Sequence, residues 1–316
     1  PGGTIASRPT AAGGLAPAIT SQELLSCVPE LAEFCRIDTI QLYNLDSTNM
    51  GPEQWQGIAA AVQENYDRYD GFVITHGTDT MGYTAAALSY MIQKSPKPVV
   101  LTGSQKSIYN RDTDARNNLW RAVAYACHPD AWGVQIVFDN QVILGTRARK
   151  TRTKSFNAFS SIDYPETAMF RDRRLIQFLQ RPAEYTHAVF STALDPNVFV
   201  LRLVPGMRAD IIPMLEGRYR ALVLESFGVG GLPGGDDGAM FAAVRDFDAR
   251  FTARKRERKL LEFSDFEHLA LRLLRTPEGV PTPLCENIRQ DYAAVMVDEY
   301  QDTNALQDAL YRCLAS

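Results

Sequence analysis

The chain has 316 residues, of which 45% are hydrophobic, and a formal net charge of −4 at pH 7, which is enough sequence for two globular domains. No apolar run is long enough to span a membrane, and no secretory signal is visible. We expect a reducing cytoplasm and no structural metal, because the cysteines are odd in number and lack CxxC or zinc spacing; they are Cys27, Cys35, Cys127, Cys285 and Cys313. We also expect no cofactor.

A threonine motif near the amino end, residues 2–6 (Gly-Gly-Thr-Ile-Ala), has a counterpart at residues 75–80 (Thr-His-Gly-Thr-Asp-Thr). The counterpart can be placed by pattern, because residues 71–75 form a short apolar run with a β-branched centre and residues 81–92 are typical of a helix. The motif therefore lies in a strand-to-helix turn, where parallel sheets bind ligands and the helix offers free N–H groups. We expect the polar side chains of this turn to face the crevice: Thr78, Asp79 and Thr80.

Helix capping is the alternative interpretation of this turn, because Thr and Asp are ordinary residues before a helix. A further strand over residues 98–102, followed by Gly-Ser-Gln, completes a β-α-β unit with hydroxyls at both strand ends, and this pairing favours a ligand site. Helices predicted at residues 52–66 and 117–126 alternate with the strands. The pattern predicts an α/β domain with a three-layer, mostly parallel sheet over residues 1–185.

The motifs resemble those of the bacterial-type L-asparaginases, and among them the cytoplasmic type I enzymes. The resemblance covers about residues 1–245, in the order 2–7, 46–50, 69–80, 101–105, 111–119, 145–150, 156–159 and 225–230. It implies a Rossmann-like N-terminal domain (1–185), a truncated smaller α/β domain (186–245) and a homo-oligomer. The implied reaction is hydrolysis of L-asparagine to L-aspartate and ammonia.

The resemblance also implies a role for each site residue. Thr4 matches the nucleophile that forms an acyl-enzyme, and a threonine hydroxyl needs a held geometry and an activating neighbour for this step. Thr78, Asp79 and Lys150 match a second triad, in which the lysine activates the threonine and the carboxylate orients the lysine.

The charged ends of the substrate have implied partners too. Ser47 and Asp79 match residues that hold the α-carboxylate and α-ammonium groups, with Thr78 beside them, and Thr48 stands where related enzymes often place another polar contact. Holding both ends would fix the side-chain amide over the nucleophile.

Two residues near the motifs have plainer interpretations. Lys150 lies in the basic run 147–154, which without the resemblance is typical of a solvated face or a phosphate patch. His76 stands between a strand and a turn, where a lone histidine is usually a hydrogen-bonded structural residue, so we give it no proton-transfer role.

The chain departs from the family pattern around the nucleophile. No initiator Met is present, and the apolar strand that the family has before residue 2 is missing. Chain ends tend to be disordered unless other contacts hold them, so Thr4 needs such contacts. Residues 11–17 also contain no tyrosine, although the family usually has one in this loop that closes over the substrate.

A different sequence begins after about residue 245. A basic helix is predicted over residues 247–259, and an apolar strand over 293–297 ends in Asp298 and Glu299. An apolar strand that ends in two acids is how a nucleotide hydrolase presents one carboxylate to Mg²⁺ and another to water. Residues 246–316 therefore resemble a helical and strand fragment of the superfamily one DNA helicases, with a Walker B motif.

The helicase-like segment lacks the other half of an ATPase site. No Gly-Lys pair occurs in the sequence, although a phosphate-binding loop ends in Gly-Lys-Ser/Thr. We predict that Asp298 and Glu299 are non-functional and that the basic helix is a solvated face that does not bind nucleic acid. The alternative to an asparaginase is thus an inactive chimera whose tail derives from a DNA-repair helicase/nuclease.

Overall fold

A computed structural model describes residues 3–9, 15–17, 19–228, 230–234, 238–257, 263–276, 279–291 and 305–314. The chain divides into two compact units, Pro1–Pro196 and Asn197–Ser316. Among the described residues, no helix combines the length and apolar character needed to cross a membrane.

The first unit alternates strands and helices along the chain. Its strands and α-helices are β1 (Ser7–Pro9), β2 (Leu15–Pro17), α1 (Ser21–Ser26), α2 (Pro52–Asn65), β3 (Phe72–Thr75), α3 (Met81–Met91), β4 (Ile92–Gln93), β5 (Pro98–Thr102), α4 (Ala115–Ala126), β6 (Gly133–Phe138), β7 (Gln141–Leu144), β8 (Ala148–Lys150), β9 (Phe159–Ser161), β10 (Ala168–Arg171), β11 (Arg174–Gln177) and β12 (Val189–Phe190). Short 3-10 helices add Thr4–Ala6, Pro29–Glu33, Ser47–Asn49 and Tyr66–Arg68.

The central sheet of this unit is mixed, with the strand order β11-β10-β7-β6-β5-β3. Strands β3, β5 and β6 are parallel, whereas β6–β7, β7–β10 and β10–β11 are antiparallel. The predicted mostly parallel sheet is therefore right only for the half that carries the second threonine motif. In the other half, the chain reverses direction at short hairpin turns. One such turn consists of Asp172 and Arg173, which both have positive φ (48° and 61°), as tight hairpin turns require.

Helices cover both faces of the sheet, as the three-layer prediction requires. One core cluster joins α4, through Leu119 and Val123, to Val100 of β5. The other joins α2 and α3 to the opposite face of the same strand, through Val99 and Leu101. The strand is buried on both sides because successive side chains point to opposite faces.

The second unit begins with a β-α-β arrangement. Its elements are β13 (Val198–Arg202), α5 (Ile211–Leu215), β14 (Ala221–Glu225), α6 (Ala239–Glu257), α7 (Phe263–Leu274), α8 (Pro283–Asp291) and α9 (Ala305–Leu314). Strands β13 and β14 pair in parallel. The predicted strand 293–297 and its acids, Asp298 and Glu299, lie outside the described residues.

Helix α6 runs without a break through the predicted boundary at residue 245. On one side of the boundary, Met240 is buried in a cluster with Leu201 and Ile212, and Phe247, from the other side, packs against the same cluster. Arg250 extends the contact with an ion pair to Glu216 at 2.6 Å. Residues on both sides of the predicted boundary thus share one helix and one hydrophobic core. The division at residues 186 and 246 stays a prediction.

A smaller cluster holds the last helices together. Leu274, Cys285 and Cys313 are buried in it, one each from α7, α8 and α9. The two sulfur atoms lie 3.3 Å apart, and burial raises the pKa of the Cys313 thiol to about 11.

Removal of the α6 side chain that enters the shared core should destabilise the second unit. Met240 is 2% exposed and its neighbour Phe241 is 62% exposed. We expect Met240→Ala to lower the free energy of unfolding of this unit by about 2–5 kcal/mol, because truncating a buried methionine leaves a cavity. Phe241→Ala is the matched control and should change it by no more than about 0.5 kcal/mol. Native-state hydrogen exchange of α6 measures both, and equal effects would contradict a shared core.

Candidate active site

The two threonine motifs meet through glycine backbones. A Cβ placed on Gly3 would lie 2.4 Å from the Cα of Gly77, and one placed on Gly77 would lie 2.6 Å from the Cβ and Oγ of Ser47. No side chain could fit at either position, and Gly3 also has a φ of +85° that glycine adopts readily. Thr4 and Thr78 each follow one of these glycines, so the close contact places the two motifs side by side.

The first motif is held by the loop that follows β5. Ile5 and Ala6 are buried, and the Ile5 carbonyl accepts a hydrogen bond from the N–H of Ile108 at 3.3 Å. The Ser7 hydroxyl donates to the Gly3 carbonyl at 2.8 Å, and the Ser107 hydroxyl donates to the Ser7 carbonyl at 2.6 Å. This loop supplies the contacts that a segment near the chain terminus needs.

Asp114 organises that loop in turn. Its carboxylate accepts hydrogen bonds from the backbone N–H groups of Gln105 (2.9 Å) and Lys106 (3.1 Å). Asn118 donates to the Gly103 carbonyl at 2.9 Å. Burial raises the pKa of Asp114, and the hydrogen bonds to its ionised form oppose that rise.

Lys150 brings the predicted triad together. Its Nζ donates to the Thr78 Oγ1 at 2.9 Å and to the Asp79 Oδ1 at 2.7 Å. The Lys150 side chain is only 14% exposed, whereas that of Asp79 is 63% exposed. The neighbouring Arg149 is exposed, so the basic run has a solvated face from which Lys150 is turned away. An ammonium at this distance stabilises negative charge that develops on the threonine oxygen.

The two predicted substrate contacts lie on one short helix. Ser47 is buried against Gly77, and its carbonyl accepts a hydrogen bond from the Thr80 hydroxyl at 2.7 Å. The Thr48 hydroxyl donates to the Asp46 carboxylate at 2.8 Å. The Asp46 carboxylate caps this helix by accepting from the Thr48 backbone N–H and also holds the Thr48 hydroxyl, so a contact between Thr48 and substrate stays a prediction. Thr80, predicted to face the crevice, positions the Ser47 segment.

The Thr4 hydroxyl is not hydrogen-bonded to the triad. Thr4 is half-buried, and its side chain has no hydrogen-bond partner in the described part of the chain. The structure thus brings the Thr4 segment against the Thr78 segment without joining their side chains. Of the loop predicted to cover the site, residues 11–14 lie outside the described residues.

His76 is fully buried behind the second motif. Its Nδ1 lies 2.7 Å from the Gly77 carbonyl and its Nε2 lies 2.9 Å from the Thr84 hydroxyl. Trp55 donates its indole N–H to the same hydroxyl at 2.9 Å. Burial lowers the pKa of His76 to about 4. The sequence pattern did not indicate Trp55 or Thr84, and only the position of Thr84 one helical turn after Thr80 could have suggested a link.

Comparison with known proteins identifies the family of the chain. The model of the family "Asparaginase, N-terminal" matches residues 1–184. The L-asparaginase of Thermococcus kodakarensis is 41% identical over 234 residues, which are 73% of this chain and 70% of that protein. Its solved structure, with 37% identity, superposes with a TM-score of 0.69 over 78% of this chain and 74% of that one. These matches define the protein as an amidohydrolase.

The chain belongs to the asparaginase family. It is also similar to one subunit of the glutamyl-tRNA(Gln) amidotransferase of Metallosphaera sedula, with 35% identity over 244 residues, 72% of this chain and 55% of that protein. The chain thus spans little more than half of that relative. A second family model, the UvrD/REP helicase N-terminal domain, matches residues 236–316, which starts ten residues before the predicted tail.

Loss of the contact between Gly3 and Gly77 should speed the exchange of amide protons in and next to the first motif. We expect Gly3→Ala to raise the exchange rates of the amide protons of Ala6 and Ile108 at least about tenfold, because the new Cβ would overlap the Gly77 backbone. Gly206→Ala is the matched control, since Gly206 has a similar φ of +81° but nothing within 4 Å of its Cβ position. Hydrogen exchange read by NMR tests this, and unchanged exchange in Gly3→Ala would contradict the contact.

Protonation of His76 should favour unfolding. The pKa of His76 is lowered to about 4 in the folded chain and is about 6.5 when unfolded, so unfolding takes up a proton between these values. The stability that neutral His76 contributes is complete above about pH 6.5 and falls toward pH 4. The loss is about 2 kcal/mol at pH 5.

Urea denaturation at pH 7.5 and pH 5.0 measures this loss. We expect a smaller drop in the free energy of unfolding for His76→Asn than for the unsubstituted chain, because asparagine does not titrate in this range. The exposed His187 provides the control, since His187→Asn should keep the original drop. Equal drops in all three proteins would refute the assignment.

Proposed function

We propose that the chain hydrolyses L-asparagine to L-aspartate and ammonia, with Thr4 as the nucleophile. The observation that carries this proposal is the contact of Lys150 with Thr78 (2.9 Å) and Asp79 (2.7 Å), beside the glycine contact that holds the Thr4 segment. A buried ammonium next to a buried hydroxyl is costly unless it is paired, and here the carboxylate of Asp79 supplies the partner.

In the first half of the reaction, the Thr4 oxygen attacks the side-chain amide carbon, and the proton that it gives up passes to the leaving nitrogen. The tetrahedral intermediate collapses as the leaving nitrogen takes up a proton and departs as ammonia, which leaves an aspartyl ester on Thr4. A threonine hydroxyl needs an activating neighbour for this attack, and in the described part of the chain the Thr4 hydroxyl has no hydrogen-bond partner that would serve as one.

In the second half, a water molecule attacks the ester carbon. Thr78 would orient this water, and the Lys150 ammonium would stabilise the negative charge that develops as the water gives up its proton to the Thr4 oxygen. The ester bond to Thr4 breaks, L-aspartate is released and the proton returns to the Thr4 oxygen.

Asp79 and Ser47 would hold the charged ends of the substrate. The Oδ1 of Asp79 accepts from Lys150, and its other carboxylate oxygen is left to accept an α-ammonium group. Asp79 is the most exposed member of the triad, as a residue that meets substrate from solvent should be. Ser47, held by Thr80, would bind the α-carboxylate. Thr48 would contribute only after its hydroxyl leaves Asp46.

A second candidate function is release of ammonia from L-glutamine for another enzyme. The 35% identity with a glutamyl-tRNA(Gln) amidotransferase over 244 residues favours it. The two substrates differ by one methylene, which a pocket distinguishes by about 1–3 kcal/mol. The ratio of kcat/KM for L-asparagine to that for L-glutamine decides between them, with a ratio above about ten expected for an asparaginase.

The proposal also covers the oligomeric state of the chain and its helicase-like C-terminal segment. We expect a cytoplasmic homo-oligomer, in line with a related solved structure described as a probable cytoplasmic L-asparaginase from Campylobacter jejuni. The alternative of an inactive chimera rests on the helicase match over residues 236–316 and on the absence of a Gly-Lys pair from the sequence. Tight, Mg²⁺-dependent ATP binding would contradict our assignment of the tail as inactive.

Ammonia release from L-asparagine tests the proposed reaction. We expect Thr4→Ala, Thr78→Val and Lys150→Met each to lower kcat at least about a thousandfold, because each removes a group that acts on the reacting atoms. Thr186→Val is the control, since Thr186 is exposed and precedes β12, which pairs with β4 beyond the far end of α3; it should retain full activity.

Substitution of the two threonines should have different effects on the amount of acyl-enzyme that accumulates. Thr78→Val should leave the aspartyl ester on Thr4, visible as an added mass on the intact chain after brief exposure to L-asparagine. Thr4→Ala should show no added mass. An ester on any residue other than Thr4, or full activity of Thr4→Ala, would overturn the assignment of the nucleophile.

A further inference from the structure

A line of hydrogen bonds leads from a helix on one face of the sheet to the second threonine motif. It runs from the Trp55 indole to the Thr84 hydroxyl (2.9 Å), from Thr84 to His76 Nε2 (2.9 Å), and from His76 Nδ1 to the Gly77 carbonyl (2.7 Å). Thr84 and His76 are fully buried, and none of these groups takes part in the proposed reaction.

The Gly77 end of this line fixes the direction of its hydrogen bonds. A carbonyl can only accept, so His76 Nδ1 carries the hydrogen that goes to Gly77. In the neutral ring Nε2 is then an acceptor, so the Thr84 hydroxyl donates to it. The Trp55 indole N–H, which can only donate, occupies a lone pair of the same Thr84 oxygen and is compatible with this tautomer.

The backbone that carries the His76 ring is held in place by the central sheet. Its backbone N–H donates to the Thr102 carbonyl of β5 at 2.8 Å, and a Cβ on Gly103 would lie 2.3 Å from the His76 carbonyl. The ring therefore reaches Gly77 from a position that the central sheet determines, and burial lowers its pKa to about 4, so the neutral form persists at neutral pH.

Gly77 needs such a restraint because it is a glycine in a turn. Its missing side chain lets Gly3 and Ser47 approach, but it also leaves the backbone more freedom than any other residue has. The peptide group between Gly77 and Thr78 is planar, so a hydrogen bond that fixes the Gly77 carbonyl also fixes the N–H and the Cα of Thr78.

We propose that His76, oriented by Trp55 and Thr84, is a positioning residue that fixes the Gly77–Thr78 peptide and thereby sets Thr78 against Lys150 and the Thr4 segment. This inference rests on the proposed asparaginase reaction. It assigns the histidine no proton transfer. It predicts that loss of the Nδ1–H donor lowers kcat much more than it changes KM, because the substrate's charged ends are held elsewhere.

The first test compares two substitutions of the histidine in the full chain. Asparagine carries its side-chain nitrogen as many bonds from Cα as Nδ1, so His76→Asn can keep the hydrogen bond to Gly77, whereas His76→Leu cannot. We expect His76→Leu to lower kcat for L-asparagine about thirtyfold with KM changed less than about threefold, since small misplacements at a reacting group are costly. His76→Asn should restore kcat to within about threefold of the original.

The second test acts on the outer end of the line and does not depend on the stability of His76→Leu. Thr84→Val removes the hydroxyl that donates to His76 Nε2, and we expect kcat to fall about fivefold. Thr167→Val is the matched control, because Thr167 is also a fully buried threonine of this unit with a hydrogen-bonded hydroxyl, in its case to the Val142 carbonyl of the sheet. It should lower stability similarly and leave kcat within about twofold.

NMR separates failure of this inference from failure of the proposed function. The ring ¹⁵N shifts of His76 should report an Nδ1–H tautomer, and the Thr78 amide signal should move strongly in His76→Leu and weakly in His76→Asn, whether or not the chain has activity. The positioning role is overturned if His76→Asn and His76→Leu give the same Thr78 shift or the same kcat, or if Thr84→Val loses no more kcat than Thr167→Val. Absence of ammonia release together with the expected shifts would overturn the reaction alone.

Discussion

The site depends on the close approach of three backbone segments at Gly3, Gly77 and Ser47. Each segment carries a group needed in the proposed reaction, but the groups are far apart in sequence and none could meet the others if either glycine had a side chain. The approach is held from outside by hydrogen bonds, from the loop after β5 on the Gly3 side and from Thr80 on the Ser47 side. Catalytic geometry here is therefore a consequence of backbone packing.

The charged groups of the second motif and its neighbour are Asp79 and Lys150, which form an ion pair. Lys150 is the one cation of its basic run that is shown to contact the second motif, and it enters because strand β8 turns alternate side chains to opposite faces. Asp79 neutralises it and remains open to solvent on its other side. A buried ammonium, a buried hydroxyl and an exposed carboxylate together make a compact polar cluster.

The second unit shows how two kinds of sequence can form one core. Helix α6 lies within the stretch that matches the helicase family model, residues 236–316, and its Met240 and Phe247 pack into one cluster with Leu201 and Ile212, which precede that stretch. Packing requires only apolar side chains of suitable size on one face of the helix. One core can therefore form from stretches that match different families without any common function.

The sequence by itself determined the family and the α/β class, and it predicted the site residues Thr4, Thr78, Asp79 and Lys150, because motifs and strand-to-helix turns consist of consecutive residues. Only the tertiary structure decided that half of the sheet is antiparallel, that the Thr48 hydroxyl is committed to Asp46, and that Trp55 and Thr84 stand behind His76. The physical reason is that pairing direction and buried hydrogen bonds join residues far apart in the chain, and no local pattern records which distant group completes them.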